Sequence, residues 1–412
     1  MIPLISSIVM AISRRSLLGA GAVAPLAATA GALALPTPAV AAPEDYHLNK
    51  RLTANVRGNR ASYAATVEAL AAVLGTVSID AVLADANRHG SRIDTAEGRN
   101  IAEQYAFGFH WEVPGDQLVP GWRPQGVSTT YDSLGAPVGT VMVSWYDLGG
   151  RVNQGMRLSL VDWSTARPKY RHVLMVEPYR TSGGFPTFAP IRRHAGGIAW
   201  YGNTLYVADT YAGLRVFDLT RILRVRDDRP NVVGLIEDGN GDAGDYYGYD
   251  YKYVLPQIAA YDNTGLRFRY SAVSVDRTSS PHTMLAGEYV PNERTRPKVL
   301  RLPLTELSNA PNKLVGADVR TITRRRGGRT VGQRSIQGAV SVSDTYYLSV
   351  SAGNARGTLY SWTPGATSPT RRSTLSVGPE DLSYDRTENV IWTCGEYESF
   401  RYVYAVDPAP AG

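Results

Sequence analysis

A single cysteine, Cys394, occurs in the 412 residues, so no intramolecular disulfide framework can hold this chain together. Familiar catalytic signatures are missing as well: there is no Walker loop, no GxSxG elbow and no HExxH pair. Charge imbalance is small, with 43 basic against 37 acidic residues and a formal net charge of +6, of which Arg14 and Arg15 supply two. That surplus mildly favours anionic partners and is far from a nucleic-acid-binding signature. Stability must therefore come from a buried core, which a mature chain of about 370 residues is long enough to form.

The one long apolar stretch lies at the start. "SRRSLLGAGAVAPLAATAGALALPTPAVAAP" sets Arg14 and Arg15 before a Gly/Ala-rich run that closes on the small-x-small pattern Ala39-Val40-Ala41. This pattern resembles a twin-arginine leader. Residues 1–41 are thus expected to engage the twin-arginine export machinery and to be removed, leaving a secreted, extracellular chain that is not membrane-embedded.

Residues 42–107 read as a small helical segment. "NRASYAATVEALAAVL" spaces Val67, Leu70, Val73 and Leu74 for a helix that Gly75 stops. "SIDAVLADANRHG" follows with Ser78 as N-cap and Gly90 as the closing glycine, and "TAEGRNIAEQYAF" offers a third helix.

From residue 108 to 412 the texture changes to short β-branched and aromatic runs between Gly, Asp, Asn and Pro turns. Five stretches share one grammar of strand, tight turn, strand: "QGVSTTYDSLGAPVGTVMVSWYD", "GGIAWYGNTLYVADTY", "SAVSVDRTSSPHTMLAGEYV", "QGAVSVSDTYYLSVSAG" and "EDLSYDRTENVIWTCGEY". Each is followed by a third strand. Four have a candidate fourth, "YRHVLMVEP", "NVVGLIED", "VGADVRTIT" and "RRSTLSV". Four antiparallel strands repeated around a ring make an all-β β-propeller, with a β-sandwich as the alternative. Five blades is the direct count, and six follows if the tyrosine-rich insert hides strands. The last unit lacks a fourth strand, and "YAFGFHWEV" at 105–113 is the upstream strand expected to complete it.

"LYVADTYAGLRVFDL" is similar to strand pairs of NHL-type and SMP-30/gluconolactonase-like propellers. From leader to "GPEDLSY", the chain as a whole resembles secreted propellers of actinobacteria. The resemblance implies the fold and carries no reaction, because the metal-binding acids of the gluconolactonase-like enzymes find no counterpart positions here.

In such a blade, residues just before each first strand and those ending each second strand share one rim of the channel. The rim then holds Gln125, His194, Gln337, Glu380 and Asp381, together with Asp209, Glu288 and Glu396 at the second-strand ends. Long insertions at 178–193, 237–268 and 324–335 are assigned to the same side, where loops carry function. Two readings follow. In the first, the rim with Arg192, Arg193, Tyr247 and Tyr249 binds a polar, glycan-like or anionic small molecule or polysaccharide. In the second, Asp209, Glu288 and Glu396, or His194 with Asp209, act as acid and base of a hydrolase or lyase. The plain alternative for these acids is ion pairing with rim arginines. "EDGNGDAGDYYGYDY" spaces Asp238, Asn240 and Asp242 like a calcium loop, although Ala243 and Tyr249 depart from the EF-hand pattern. Ca2+ is the only cofactor expected.

Overall fold

Alternating β-branched and aromatic residues pair with the next such run across a short turn, and each repeat folds as four antiparallel strands, the first two repeats being joined into one sheet by parallel pairing of Lys169–Arg180 with Tyr253–Asn263. The computed structural model describes residues 41–149, 153–238, 244–304 and 309–409. Of the expected leader, residues 1–41, all but Ala41 lie outside them. The first unit pairs Trp122–Thr129, Thr140–Asp147, Met156–Asp162 and Lys169–Arg180 in order. The second comprises Ala195–Tyr201, Thr204–Asp209, Gly213–Asp218 and Tyr253–Asn263. The third is Tyr270–Asp276, Thr283–Glu288, Lys298–Pro303 and Asp318–Thr321, and the fourth Ile336–Val342, Thr345–Ala352, Ala355–Trp362 and Thr370–Val377.

The last unit, Pro379–Asp385, Val390–Gly395 and Tyr402–Val406, takes its fourth strand from far upstream. Tyr105–His110 runs antiparallel to Tyr402–Val406, with Gly108 opposite Tyr404. First strands of successive units adjoin in turn, and the last returns to the first. The architecture is a β-propeller closed by the chain's own early strand.

The second unit departs from expectation. "NVVGLIED" does not supply its fourth strand; Val233–Ile236 instead makes a local hairpin with Asp245–Gly248. The longer run Tyr253–Asn263 takes that place, with Gly213 opposite Asp262. The tyrosine insertion therefore leaves between the third and fourth strands, not on the connection that reaches the mouth. It packs on the flank of the first unit, where Tyr246, Tyr249 and Tyr251 share a core with Leu174 and Val176.

The three helices form at Tyr63–Leu74, Ile79–Ala84 and Thr95–Ile101, and Ser62, Ser78 and Asp94 accept first-turn N–H groups. Gly90 closes no helix, since Asp85 caps the second one and Gly90 N–H donates to Pro168. The segment is not wholly helical. His47–Arg51 lies against both Tyr253–Asn263 and Lys313–Val315, and Thr53–Val56 pairs with Asn59–Ser62. A boundary at 107 would cut the closing strand, and the described residues from Ala41 onward form one compact unit. No helix among the described residues is long and apolar enough to cross a membrane.

Candidate functional site

The mouth of the channel is shaped by a defect repeated in every unit. The first strand slips register against the second at Pro124/Val127, Ala195/Ile198, Tyr270/Ala272, Ile336/Gly338 and Pro379/Leu382. A bulge re-aims side chains where a strand ends. Here Gln125, Ser271, Gln337 and Glu380 line one cavity of about 290 Å³, joined by Arg193, His194, Asp209, Arg269, Tyr289 and Glu396.

The following bulge position explains the floor. It holds Gly126, Gly197, Ala272 and Gly338 in four units and Asp381 in the last. A Cβ on Gly197 would stand 2.7 Å from the Asp381 carboxylate and 2.4 Å from the Val273 nitrogen. The small residues leave room for Asp381 at the channel centre. Its carboxylate accepts N–H groups from Ile198 at 2.9 Å and Val127 at 3.3 Å, and the Val273 and Leu382 N–H groups add to the favourable field. Burial pushes this carboxyl up, while the converging N–H groups favour its ionised form. Asp381 lies outside the cavity lining and ties the first strands of the first, second and last units together.

The rim acids separate by partner. Asp209 lines the cavity, but Arg215 holds its carboxylate at 2.9 Å. Glu288 does not line it; its carboxylate accepts the Lys298 N–H at 3.1 Å, with the Lys298 ammonium 3.8 Å away. The three acids, all expected at second-strand ends, do not share one register. Asp209 and Glu288 stand opposite Ala195 and Tyr270, but Gly395 stands opposite Pro379, so Glu396 falls one place later. Because strand side chains alternate, that single step matches Glu396 with Tyr289, which faces the cavity, and not with Glu288.

Glu380 and Glu396 do converge. Their side chains hydrogen-bond each other, and Gln337 Nε2 donates to Glu380 at 3.0 Å. Burial raises both carboxyls, and the neighbouring acid raises Glu380 further. Two carboxyls in such contact resist being ionised together. Cys394 is buried beside them; its thiol donates to the Gln125 carbonyl at 3.4 Å, and burial pushes its pKa up.

His194 lies tilted against Tyr146 with ring centroids 4.2 Å apart. The residue is exposed, yet the protein crowded around the ring and nearby Arg269 lower its pKa to about 4, against the pull of Asp209. Arg269, which the sequence reading missed, has its guanidinium 4.6 Å over the Tyr289 ring and 5.2 Å over Tyr211. It sits on the short connection into the third unit, hidden while that connection was thought to be a long insertion.

Other expected ligands of the site lie elsewhere. Arg192 is exposed outside the cavity and donates to the Asn153 carbonyl at 2.9 Å. Tyr247 and Tyr249 are buried, because their insertion folds down onto the first unit's flank. Of the calcium triplet, Asp238 is described, whereas Asn240 and Asp242 lie outside the described residues. Among the described residues no group of three His, Cys, Asp or Glu could hold a metal.

A second polar cluster resembles a nucleophile–base–acid chain. Ser159 Oγ lies 2.8 Å from His172 Nδ1, and His172 Nε2 lies 2.9 Å from Asp116. Ser159 is fully buried and accepts the Trp145 indole N–H at 2.8 Å, so no substrate reaches it. Arg157 binds Asp116 at 2.8 Å between the rings of Trp122 and Trp145. Burial lowers the His172 pKa to about 3, helped by Arg157. This network braces the first unit.

No family model and no curated protein matches the chain. Solved structures with some likeness include a β-xylosidase, at 11% identity over 70% of this chain and 93% of that one, with a TM-score of 0.34. Another is the GH43_1 enzyme from Xanthomonas citri complexed with xylotriose, at 10% identity, 83% and 92% coverage and a TM-score of 0.33. A gluconolactonase from Xanthomonas campestris aligns at 13% identity, 79% and 86% coverage and a TM-score of 0.30. Scores this low carry no argument about activity. The propeller assignment rests on the strand pairing.

Proposed function

We propose that this chain is an exported five-bladed propeller that binds a carboxylate-bearing, sugar-sized polar ligand in its mouth cavity. The observation that carries the reading is a charge mismatch. Asp209 is neutralised by Arg215, and burial disfavours charge on Glu380 and Glu396, whereas Arg269 Nε is buried with no hydrogen-bond partner among the described residues. Arg193 adds a second guanidinium to the same lining. A cavity with spare guanidinium donors favours an anion, and a planar fork suits a carboxylate. Gln125, Ser271 and Gln337 offer partners for hydroxyls, and Tyr211 and Tyr289 offer flat faces. The volume sits near the lower end of ligand pockets, roughly 300–1,000 Å³, which suits one ring.

Calorimetric titration with galacturonate and with galactose tests this. Galacturonate should bind, galactose should bind at least about tenfold more weakly, and Arg269→Met should remove the difference. Equal binding of the two sugars, or an unchanged Arg269→Met variant, refutes the reading.

The meeting of Glu380 and Glu396 is the one observation favouring a hydrolase or lyase. Their direct hydrogen bond leaves no room for a glycosidic bond between them, since even retaining glycosidases separate their carboxyls by roughly 5 Å. New oligosaccharides from an acidic polysaccharide, absent with Glu396→Gln, would install the enzymatic reading instead.

A further inference from the structure

Beside the cavity stands a dense group of arginines that the binding reading leaves unused. Thr323–Arg326 and Arg329–Gly332 form a hairpin with Arg326 directly opposite Arg329. Gly327 and Gly328 turn it, with φ of +53° and +76°, values that glycine adopts without strain. The loop Pro291–Pro297 lies alongside, because Gly332 N–H donates to the Glu293 carbonyl at 3.0 Å. Arg294, Arg296, Arg325, Arg326, Arg329 and Arg334 are all exposed on this surface.

One acid answers them. Glu293 binds Arg324 and Arg326, the latter at 2.6 Å, and lies near Arg334. For Arg294, Arg296, Arg325 and Arg329 no ion pair occurs among the described residues. Like charges set opposite each other on a hairpin cost stability. The fold nevertheless anchors this one, with Arg325 N–H donating to Ser368 Oγ at 2.9 Å.

The ridge also meets the cavity at two points. Tyr289 of the lining leads directly into the loop, and Ser335, which precedes Ile336 and the lining residue Gln337, donates its N–H to the Val290 carbonyl at 2.9 Å.

We infer that cavity and ridge form one continuous track for a linear polyuronate, the cavity holding one sugar acid and the arginines holding the carboxylates of the residues that follow. This rests on the cavity reading. The commitment to carboxylate follows from the pairing of guanidinium forks with a cavity built for a hydroxylated ring. A bare phosphate polymer would use the forks and leave Gln125, Gln337 and the tyrosines idle.

The test compares monomeric galacturonate with a galacturonate decamer, by calorimetry at low and physiological salt, for the whole chain. The decamer should bind about tenfold tighter than the monomer or better, and the gain should shrink with salt. The triple variant Arg325→Gln/Arg326→Gln/Arg329→Gln should abolish the gain while monomer binding is unchanged. A matching Arg→Lys triple keeps the charge and should restore part of it, which separates lost contacts from misfolding. A decamer no tighter than the monomer, or a gain that survives the Gln triple, overturns the track and leaves the cavity reading standing. A decamer that binds through the arginines while the monomer fails to bind upholds the ridge and refutes the cavity reading. Equal affinity for polyphosphate or duplex DNA overturns the polyuronate assignment.

Discussion

Glu380 and Glu396 hydrogen-bond to each other inside the mouth, and burial there favours the protonated form over what the unfolded chain would hold. Both folded pKa values are raised, so the pair's contribution to stability is fully present below the ordinary carboxyl range and is lost as pH rises. Glu380→Gln mimics the protonated acid and keeps an acceptor for Gln337. The variant should be more stable than the parent at about pH 8, by about 1–3 kcal/mol, with a flatter pH profile. Urea titrations across pH measure this. A variant that is less stable at high pH would show that burial does not favour the protonated form.

The Asp116 cluster has the opposite sign. Burial alone would raise this carboxyl, but His172, Arg157 and Arg88 hold it below the carboxylate range. Its contribution is therefore present above the unfolded pKa and lost as pH falls through the acid range. Asp116→Asn should cost about 3–5 kcal/mol at neutral pH, because it strands buried Arg157. Thermal melts decide, and a loss under about 1 kcal/mol would mean that the aromatic rings alone hold Arg157.

Asp381 should matter for folding more than for binding. Asp381→Ala leaves the N–H groups of Val127 and Ile198 without their acceptor at the channel centre. A loss of about 3 kcal/mol or more is expected in urea, with Asp381→Asn less damaging because it keeps one carbonyl oxygen. Near-wild-type stability of the Ala variant would dismiss its role as the pin of the ring.

Ring closure depends on close approach at Gly108. A Cβ there would lie 2.6 Å from the Tyr404 Cβ and 2.7 Å from the Val403 carbonyl. Gly108→Ala should therefore cost about 1–3 kcal/mol. Protease should cut it faster near Tyr105–His110, which mass spectrometry would locate. Unchanged cleavage there would mean that the strand adapts without parting.

The repeats were readable because a turn acid and a strand pair recur together. Asp276 and Asp385, the acids of "DRTSS" and "DRTEN", both accept N–H groups two and three residues on. The closing strand was readable by counting, since the last unit lacks a partner. The second unit's fourth strand was not, because Val233–Ile236 and Tyr253–Asn263 are both plausible strands and only the competition for Gly213–Asp218 separates them. That misassignment sent Tyr247 and Tyr249 to the mouth and hid Arg269.

The local sequence determined which residues form strands, where they turn, and that Gln125, His194, Asp209, Gln337, Glu380 and Glu396 lie near one rim. These follow from short-range patterns of two to a few residues. Tertiary structure decided what each acid does: Arg215 neutralises Asp209, Lys298 draws Glu288 away, and Glu396 meets Glu380. A bulge of one residue sets which way a strand's side chains point, and partners brought together by the ring set their charge. Neither is written in any window of the chain.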